Sequence, residues 1–492
     1  MESKTVIRSY GALALFACAV LSFAAVWMGG LNQDEGWYLY AANLVADGKM
    51  PYRDFAYTQG PMLPFVYAAF TWVWDFGGLL GARILTLLIG LLGICFAMGL
   101  ARRLVPVERG DATALVVLFL LATNLYHLYY LAIPKTYALA SLFVLMGFYL
   151  LALARERAIV AVVGGACLAL AAGTRISLGA ILPVVGVFLL VRAIRGEGRA
   201  PWAVFAAFCA GGFGGLLFAY GPFLVDAQAR AGLFAAQAYH AARGGFDLTW
   251  TVGSLSRLVR WYLPVFIILG IGTFREAWML AASFLAVFAV QMLAPFPYED
   301  YQVPLMALLA VFASVNYFGK SADGAADGKT KKLLLVLGLC FATSFGSPLL
   351  EKWTTNGQDR FWSLKKEKTE LAQLRDVARL IEALDPGGKT LLTQDLYLAI
   401  ETRRKVPKGL EMGPFSVLAD AEWRRLLARA ECPIAALSAY TFAIEPPKCN
   451  ERARGLQVDY WRLVKKNYEL VAKEDAFGQN ATPLLILQRK DR

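Results

Sequence analysis

Charge is scarce in this sequence. Of 492 residues only 17% are Asp, Glu, Lys or Arg, 58% are hydrophobic, and the mean hydropathy is +0.49. Soluble domains are about a quarter charged and about half apolar, so a single globule folded in water is excluded. Histidine occurs only at His127 and His240, too far apart for metal-ligand spacing. Of the seven cysteines, Cys18, Cys95, Cys167, Cys209 and Cys340 lie inside apolar runs, where they act as small hydrophobes. No internal repeat stands out. No cleavable leader is expected either, because the first apolar run is too long for a signal-peptide core and MGGLNQ is a poor cleavage site. The net charge of +12 invites a nucleic-acid reading. An excess of Lys and Arg is, however, the usual mark of cytoplasmic loops, and nucleic acid is set aside.

Long hydrophobic runs are abundant. Runs of bilayer length, roughly 17–25 residues, lie at 10–30, 79–101, 111–131, 134–153, 158–173, 176–191, 202–224, 259–274, 276–294, 302–318 and 333–349. The expected fold is a polytopic α-helical membrane protein with about eleven spans. The segments after the even-numbered runs carry Arg102, Arg103 and Arg109; Arg155 and Arg157; Arg192, Arg195 and Arg199; Arg275; and Lys320, Lys329, Lys331 and Lys332. With Lys4 and Arg8 at the start, this places the N-terminus and every second connection in the cytoplasm. The loop 31–78, the turn near 132–135, the loop 225–258, the segment 295–301 and the tail then face outward.

Residues 1–349 are therefore expected to form the membrane domain, and 350–492 a small extracytoplasmic α/β domain. The tail has near-normal charge, a helix-like run at 371–384 and strand-like runs at 389–393, 432–439 and 483–488. Cys432 and Cys449 would lie there in an oxidising compartment, and a disulfide between them is expected.

The loop 31–78 has the most unusual composition. LNQDEGWYLY (31–40) follows an uncharged apolar run and opens with adjacent acids, Asp34 and Glu35. Residues 33–46 read as an amphipathic helix ended by Gly48 and Pro51, its aromatics Trp37 and Tyr40 suited to lipid headgroup depth. PMLPFVYAAFTWVW (61–74) is too short to span and reads as interfacial. A structural reading accounts for both acids: Asn32 caps the helix, Glu35 completes a capping box and Asp34 suits the positive helix end. A chemical reading makes one carboxylate a general base. Neighbours on a helix point about 100° apart, so one acid can cap while the other faces substrate. The two readings fit together with Glu35 structural and Asp34 chemical.

The first run, followed at once by Asp34-Glu35, an aromatic helix, GKMPYRDF and QGPMLP before the next run, resembles the GT-C glycosyltransferases. The nearest types are the protein O-mannosyltransferases, the lipid A aminoarabinose transferase and Rgt-like bacterial relatives. The resemblance spans the whole layout and is specific over about residues 31–105. It implies a GT-C-like membrane domain with a catalytic first outer loop, and an inverting transferase of a hexosyl or pentosyl group. The sugar would pass from a polyprenyl-phosphate donor to a lipid, glycan or protein acceptor at the outer face of a bacterial-type inner membrane. Asp34 would be the base, with Glu35 beside it. Where the aminoarabinose transferase type carries Glu-Lys-Pro-Pro, this chain has Thr58-Gln59-Gly60-Pro61, so the lysine clamp on the donor phosphate and a carboxylate metal ligand are missing there.

Other cations must then meet the donor phosphate. Candidates on the outer side are Arg53, Arg83, Lys135, Arg175, Arg243, Arg257 and Arg260. Arg175 between two apolar runs is costly without a partner, although a snorkelling arginine at a span end accounts for it equally. Arg243 lies beside Gly244-Gly245 and near His240, and the turn Tyr298-Glu299-Asp300 offers a second acidic, tyrosine-rich substrate contact. Gln59 stands where the clamp is absent. No cofactor is expected; an oxygen-ligated divalent ion on Asp34, Glu35, Glu299 or Asp300 is the less favoured alternative. Competing functions are a transporter or flippase for a lipid-linked substrate, and a non-enzymatic assembly component acting through its tail.

Overall fold

The computed structural model describes residues 2–154, 157–241, 245–270, 277–294, 297–318, 335–336, 338–340, 342, 368–416, 418–438, 460–479 and 481–490. The chain divides into two compact units: one of residues 1–26, 58–63 and 84–357, the other of residues 27–57, 64–83 and 358–492. The expected division at 349/350 would separate the loop 31–78 from the tail, whereas most of that loop belongs to the same compact unit as residues 358–492.

The first unit is helical. It takes most of α1 (Glu2–Trp27), the larger part of α4 (Thr71–Leu104), then α5 (Val107–Ala122), α6 (Leu125–Ala132), α7 (Thr136–Leu153), α8 (Val160–Thr174), α9 (Ile181–Ile194), α10 (Pro201–Val225), α11 (Ala227–Ala241), α12 (Leu248–Trp261), α13 (Leu263–Gly270), α14 (Trp278–Met292) and α15 (Val303–Phe318). Among the described residues five helices are long and apolar enough to cross a membrane, within α1, α4, α7, Ile176–Ile194 and α10. Two bent pairs bring that to as many as seven, and α8 and α14 are shorter apolar helices. The chain is a polytopic α-helical membrane protein. The expected span at 333–349 falls mostly outside the described residues.

Two expected spans are corrected in shape. The run 111–131 bends by 72° between α5 and α6, and the run from 259 bends by 85° between α12 and α13. At the first bend Asn124 accepts the His127 N–H at 3.0 Å and donates its own amide to the Trp261 carbonyl at 2.9 Å. An asparagine that caps a new helix start and reaches a second backbone supplies the partners that a break inside apolar surroundings requires. Helices α8 and α10 meet through small residues. A Cβ at Gly211 would fall on the Val162 carbonyl oxygen, and one at Gly215 would lie 2.7 Å from the Ala169 side chain. Close backbone approach through glycine drives helix association where lipid offers no hydrophobic gain.

The second unit is built around α2 (Gln33–Ala46). With it come α3 (Met62–Ala68, from Pro64 on), residues 71–83 of α4, and, from the tail, α16 (Glu370–Leu384), α17 (Leu396–Glu401), α18 (Asp420–Arg429) and a three-stranded sheet. The expected helix at 33–46 forms over those residues, but its environment differs. Trp37, Tyr38 and Tyr40 are at most 5% exposed, so these aromatics are core residues of a protein unit and do not present an open face to lipid. Gly36 explains the burial, because a Cβ there would fall on the Tyr397 backbone nitrogen and 2.6 Å from the Leu396 carbonyl carbon. The expected interfacial piece at 61–74 forms α3 and the start of α4, with a kink at Gly78 (φ 60°, ψ −154°).

In the tail, Leu371, Leu374, Val377 and Ile381 form the buried stripe of α16, which Thr369 caps through the Ala372 N–H at 3.2 Å. Strands β1 (Ile434–Ser438), β2 (Tyr468–Phe477) and β3 (Thr482–Arg489) are antiparallel in the order β1-β3-β2, with Ala436 opposite Ile486. The run 389–393 makes only isolated bridges, Thr390 to Lys405 and Leu392 to Ala435. Strand β2 escaped the sequence reading because YELVAKEDAF is a largely exposed edge strand with no apolar face to announce it. Cys432 is a buried free thiol just before β1, while Cys449 lies outside the described residues.

Candidate functional site

The Asp34-Glu35 pair sits in the first turn of α2, and the two carboxylates have different environments. Glu35 is fully buried. Its Oε1 accepts the Asn32 N–H at 2.8 Å, completing the expected capping box. Both its oxygens are also gripped by Arg83, Nε to Oε2 at 2.7 Å and Nη2 to Oε1 at 2.6 Å. Arg83, itself 0% exposed, donates further to the carbonyls of Gly29 at 3.0 Å and Gly30 at 2.9 Å. A two-pronged guanidinium–carboxylate bond inside a protein fixes geometry as well as charge. The expectation that Arg83 meets a donor phosphate is corrected accordingly: its guanidinium is buried against Glu35 and two carbonyls and has no exposed face for a ligand.

Asp34 is half-buried. Its backbone N–H donates to Asn32 Oδ1 at 3.0 Å, and its Oδ1 accepts the Trp37 indole N–H at 3.0 Å. Trp37 in turn stacks on Tyr38 at 3.9 Å between ring centroids and meets Tyr57 and Phe415 edge-on. A half-buried carboxylate at an aromatic cluster, with an indole N–H on one oxygen, suits proton transfer better than one enclosed in a buried salt bridge.

The first unit contains a second polar cluster. Arg175, 8% exposed, begins the 3₁₀ turn after α8. Its guanidinium lies between the rings of Tyr137 and Tyr301, 4.8 Å from each centroid, and Nη1 donates to Thr136 Oγ1 at 3.0 Å. Asp300 accepts from Lys135 Nζ at 3.0 Å and from the Tyr137 hydroxyl at 2.7 Å. Burial alone would raise the Asp300 pKa, but Lys135, with Tyr137 and Arg175, outweighs it and holds the carboxyl below its ordinary value. Glu299 pairs with Arg257 at 3.1 Å. Three cations and two carboxylates leave one positive charge. Tyr298 is 42% exposed and packs edge-on against Trp250 and Tyr301.

Of the expected contacts, Arg175, Glu299, Asp300 and Lys135 therefore gather in one cluster, with Tyr298 at its edge. Gln59 is half-buried in the same unit, beside Gly60, whose close approach to the Gly173 carbonyl leaves no room for a Cβ. His127 is buried with Nδ1 2.8 Å from the Tyr262 hydroxyl. Arg243, and the side chain of His240, lie outside the described residues. Among the described residues no three His, Cys, Asp or Glu side chains form a metal-holding group. Sequence reading missed the roles of Tyr137 and Tyr301; the polar start PKTY (134–137) of the run 134–153 was the signal for the first.

No protein-family model and no curated protein sequence matches the chain. Solved structures do. ArnT from Cupriavidus metallidurans, in the apo state, is 18% identical over 98% of this chain and 98% of its own, with a TM-score of 0.60. The same protein bound to undecaprenyl phosphate gives 15%, 97% and 98%, with a TM-score of 0.58. The archaeal oligosaccharyltransferase AglB from Archaeoglobus fulgidus, solved with an inhibitory peptide and a dolichol-phosphate, is 10% identical over 93% of this chain and 72% of its own, at 0.53. Likeness over nearly the whole length, at this identity, is a statement about architecture: the chain has the fold of the GT-C membrane glycosyltransferases.

Proposed function

We propose that this protein is an inverting glycosyltransferase. It moves a sugar from a polyprenyl-phosphate donor to a hydroxyl of a lipid, glycan or protein acceptor at the outer face of a bacterial inner membrane. The N-terminus is cytoplasmic and the tail extracytoplasmic. The observation that carries the reading is the division of labour in the first turn of α2. Glu35, locked by Arg83, closes the capping box and is spent on structure, and Asp34 stands half-buried at the aromatic cluster. The ArnT structure was solved with undecaprenyl phosphate bound, and that chemistry fits a donor with a polyprenyl-phosphate leaving group.

In the reaction, Asp34 takes the proton of the acceptor hydroxyl while its oxygen attacks the anomeric carbon. The bond from that carbon to the phosphate oxygen breaks on the opposite face, and polyprenyl phosphate departs with the electron pair. A general base of this kind contributes about 10²–10⁴-fold. The leaving phosphate needs fixed positive charge, and within the first unit the Lys135–Arg175–Arg257 cluster carries a residual one. Lysine and arginine there replace the clamp missing at Gln59.

The two sharply bent helix pairs favour a second reading, a transporter or flippase, because broken spans are common in such proteins. Mass spectrometry of cell-envelope glycolipids and glycans in a deletion strain separates the two. Transfer predicts an accumulated polyprenyl-phosphate sugar and a glycan short by one residue. Glycans of unchanged composition, with transport by the reconstituted protein, would refute it.

A further inference from the structure

Seven consecutive residues lead into the catalytic turn, and each has a backbone polar group tied down. The Gly29 and Gly30 carbonyls accept from Arg83. The Leu31 N–H donates to Glu370 Oε2 at 2.6 Å. The Asn32 N–H goes to Glu35, and the Gln33 N–H to Gln479 Oε1 at 3.0 Å. The Asp34 N–H goes to Asn32 Oδ1 and the Glu35 N–H to the Asn32 carbonyl. Helix starts leave their first N–H groups without intrahelical partners, to be met by nearby capping side chains, water or ligand. Here two of the anchors come from the far end of the sequence, 339 and 446 residues away.

Neither anchor is placed by accident. Glu370 is the first residue of α16, where a carboxylate usually serves its own helix end; it reaches instead to Leu31 and is itself 9% exposed. Gln479 follows Gly478, whose positive φ (70°) turns the chain between β2 and β3 and brings it against the Tyr397 hydroxyl. Tyr397 is the residue whose backbone nitrogen meets Gly36, one residue past Glu35. The Tyr40 hydroxyl also accepts the Val406 N–H at 3.0 Å, one turn further along α2.

Resting on the assignment of Asp34 as the base, we infer that Glu370 and Gln479 are positioning residues for the transfer reaction. They hold the backbone of Leu31 and Gln33 and so aim the Asp34 carboxylate at the acceptor hydroxyl. The tail is then part of the catalytic mount. A shift of about 1 Å in a reacting group can cost about a hundredfold in rate, and loss of these two anchors permits a shift of that size without unfolding α2, whose other cap is internal.

The test uses the full-length protein in detergent, with lipid extract and envelope from a deletion strain as donor and acceptor. Variants are Glu370→Ala, Glu370→Gln, Gln479→Ala and Asp34→Asn. In Glu370→Ala and Gln479→Ala, amide hydrogen exchange across residues 31–34 accelerates. Turnover at saturating donor falls about ten- to a hundredfold while the apparent KM for donor is unchanged. Glu370→Gln, which keeps an acceptor oxygen, restores most of the turnover. A merely structural residue would move stability without this kcat-against-KM split or this rescue. Wild-type turnover in both alanine variants, or unchanged exchange at 31–34, overturns the inference. Full transfer by Asp34→Asn instead defeats the assignment of the base, and the exchange data still decide whether the anchors hold the turn. If Glu370→Ala does not fold, Gln479→Ala and Glu370→Gln carry the same comparison.

Discussion

Replacing Arg83 by methionine removes a cation with several bonds in the dry interior of the second unit. Both partners are 0% exposed, and the two contacts to Glu35 are 2.7 and 2.6 Å. Breaking a buried ion pair by deleting one member costs about 3–5 kcal/mol, because the other charge stays buried. The Gly29 and Gly30 carbonyls lose donors as well, at about 1 kcal/mol or more each. The sum is at least about 5 kcal/mol. At roughly 2–4 °C per kcal/mol for a unit of 150–250 residues, thermal unfolding in detergent should move down by at least about 10 °C. Glu35→Gln in the same chain removes the stranded charge while its amide oxygen still caps Asn32. The double variant should therefore recover part of the loss. Arg83→Lys falls between, since an ammonium cannot serve two carboxylate oxygens and two carbonyls in one plane. An Arg83→Met protein that unfolds within about 3 °C of wild type, or a double variant no better than the single, would refute the structural assignment of this arginine.

Three further outcomes follow from the geometry. Gly36→Ala forces a methyl onto the Tyr397 backbone and should destabilise by about 1–3 kcal/mol; Gly11→Ala in α1, with nothing within 4 Å, is the neutral or mildly stabilising control, and equal melting shifts for the two would contradict the packing. The buried Asp395 carboxyl accepts the Tyr397 hydroxyl at 3.0 Å, and burial raises its pKa from 3.8 to about 6 against hydrogen bonds from Ser438 and Tyr397. Its favourable contribution is thus complete below about pH 4 and lost as pH rises through about 6, on the order of 3 kcal/mol. Asp395→Asn should flatten melting temperature against pH between 4 and 7 and raise it near pH 7–8, and curves parallel to wild type would count against the burial. Arg175→Lys loses the stacking between Tyr137 and Tyr301 and should raise the donor KM about tenfold, the worth of one charge-assisted bond; an unchanged KM removes Arg175 from donor binding.

Much of this fold was legible because the information is local. Hydropathy marks the apolar helices, and Asn32 with Glu35 announces both the start of α2 and its capping box. The same stretch hides its environment. A stripe of Trp37, Tyr40, Ala41, Leu44 and Val45 reads as a membrane-surface face, yet the helix is wrapped by the tail, whose residues lie hundreds of positions away. Arg83 looked like a free outer cation because nothing in the sequence links it to an acid 48 residues earlier. The bends at Asn124 and Tyr262 are invisible to hydropathy, which averages over them; Asn124, three residues before His127 inside an apolar run, was the local sign of a new helix start. The setting of Arg175 depends on one tyrosine from the start of α7 and one from the turn before α15, and pairing across sequence is what a single chain read by itself does not display.

The most direct measurement is transfer by Asp34→Asn and Glu35→Gln proteins, each purified at wild-type level and assayed with deletion-strain lipid and envelope. With Asp34 as the base, asparagine there lowers turnover by about 10²–10⁴-fold with folding intact, while Glu35→Gln chiefly lowers the melting temperature and leaves the folded fraction active. Transfer at wild-type rate by the Asp34→Asn protein would contradict the account.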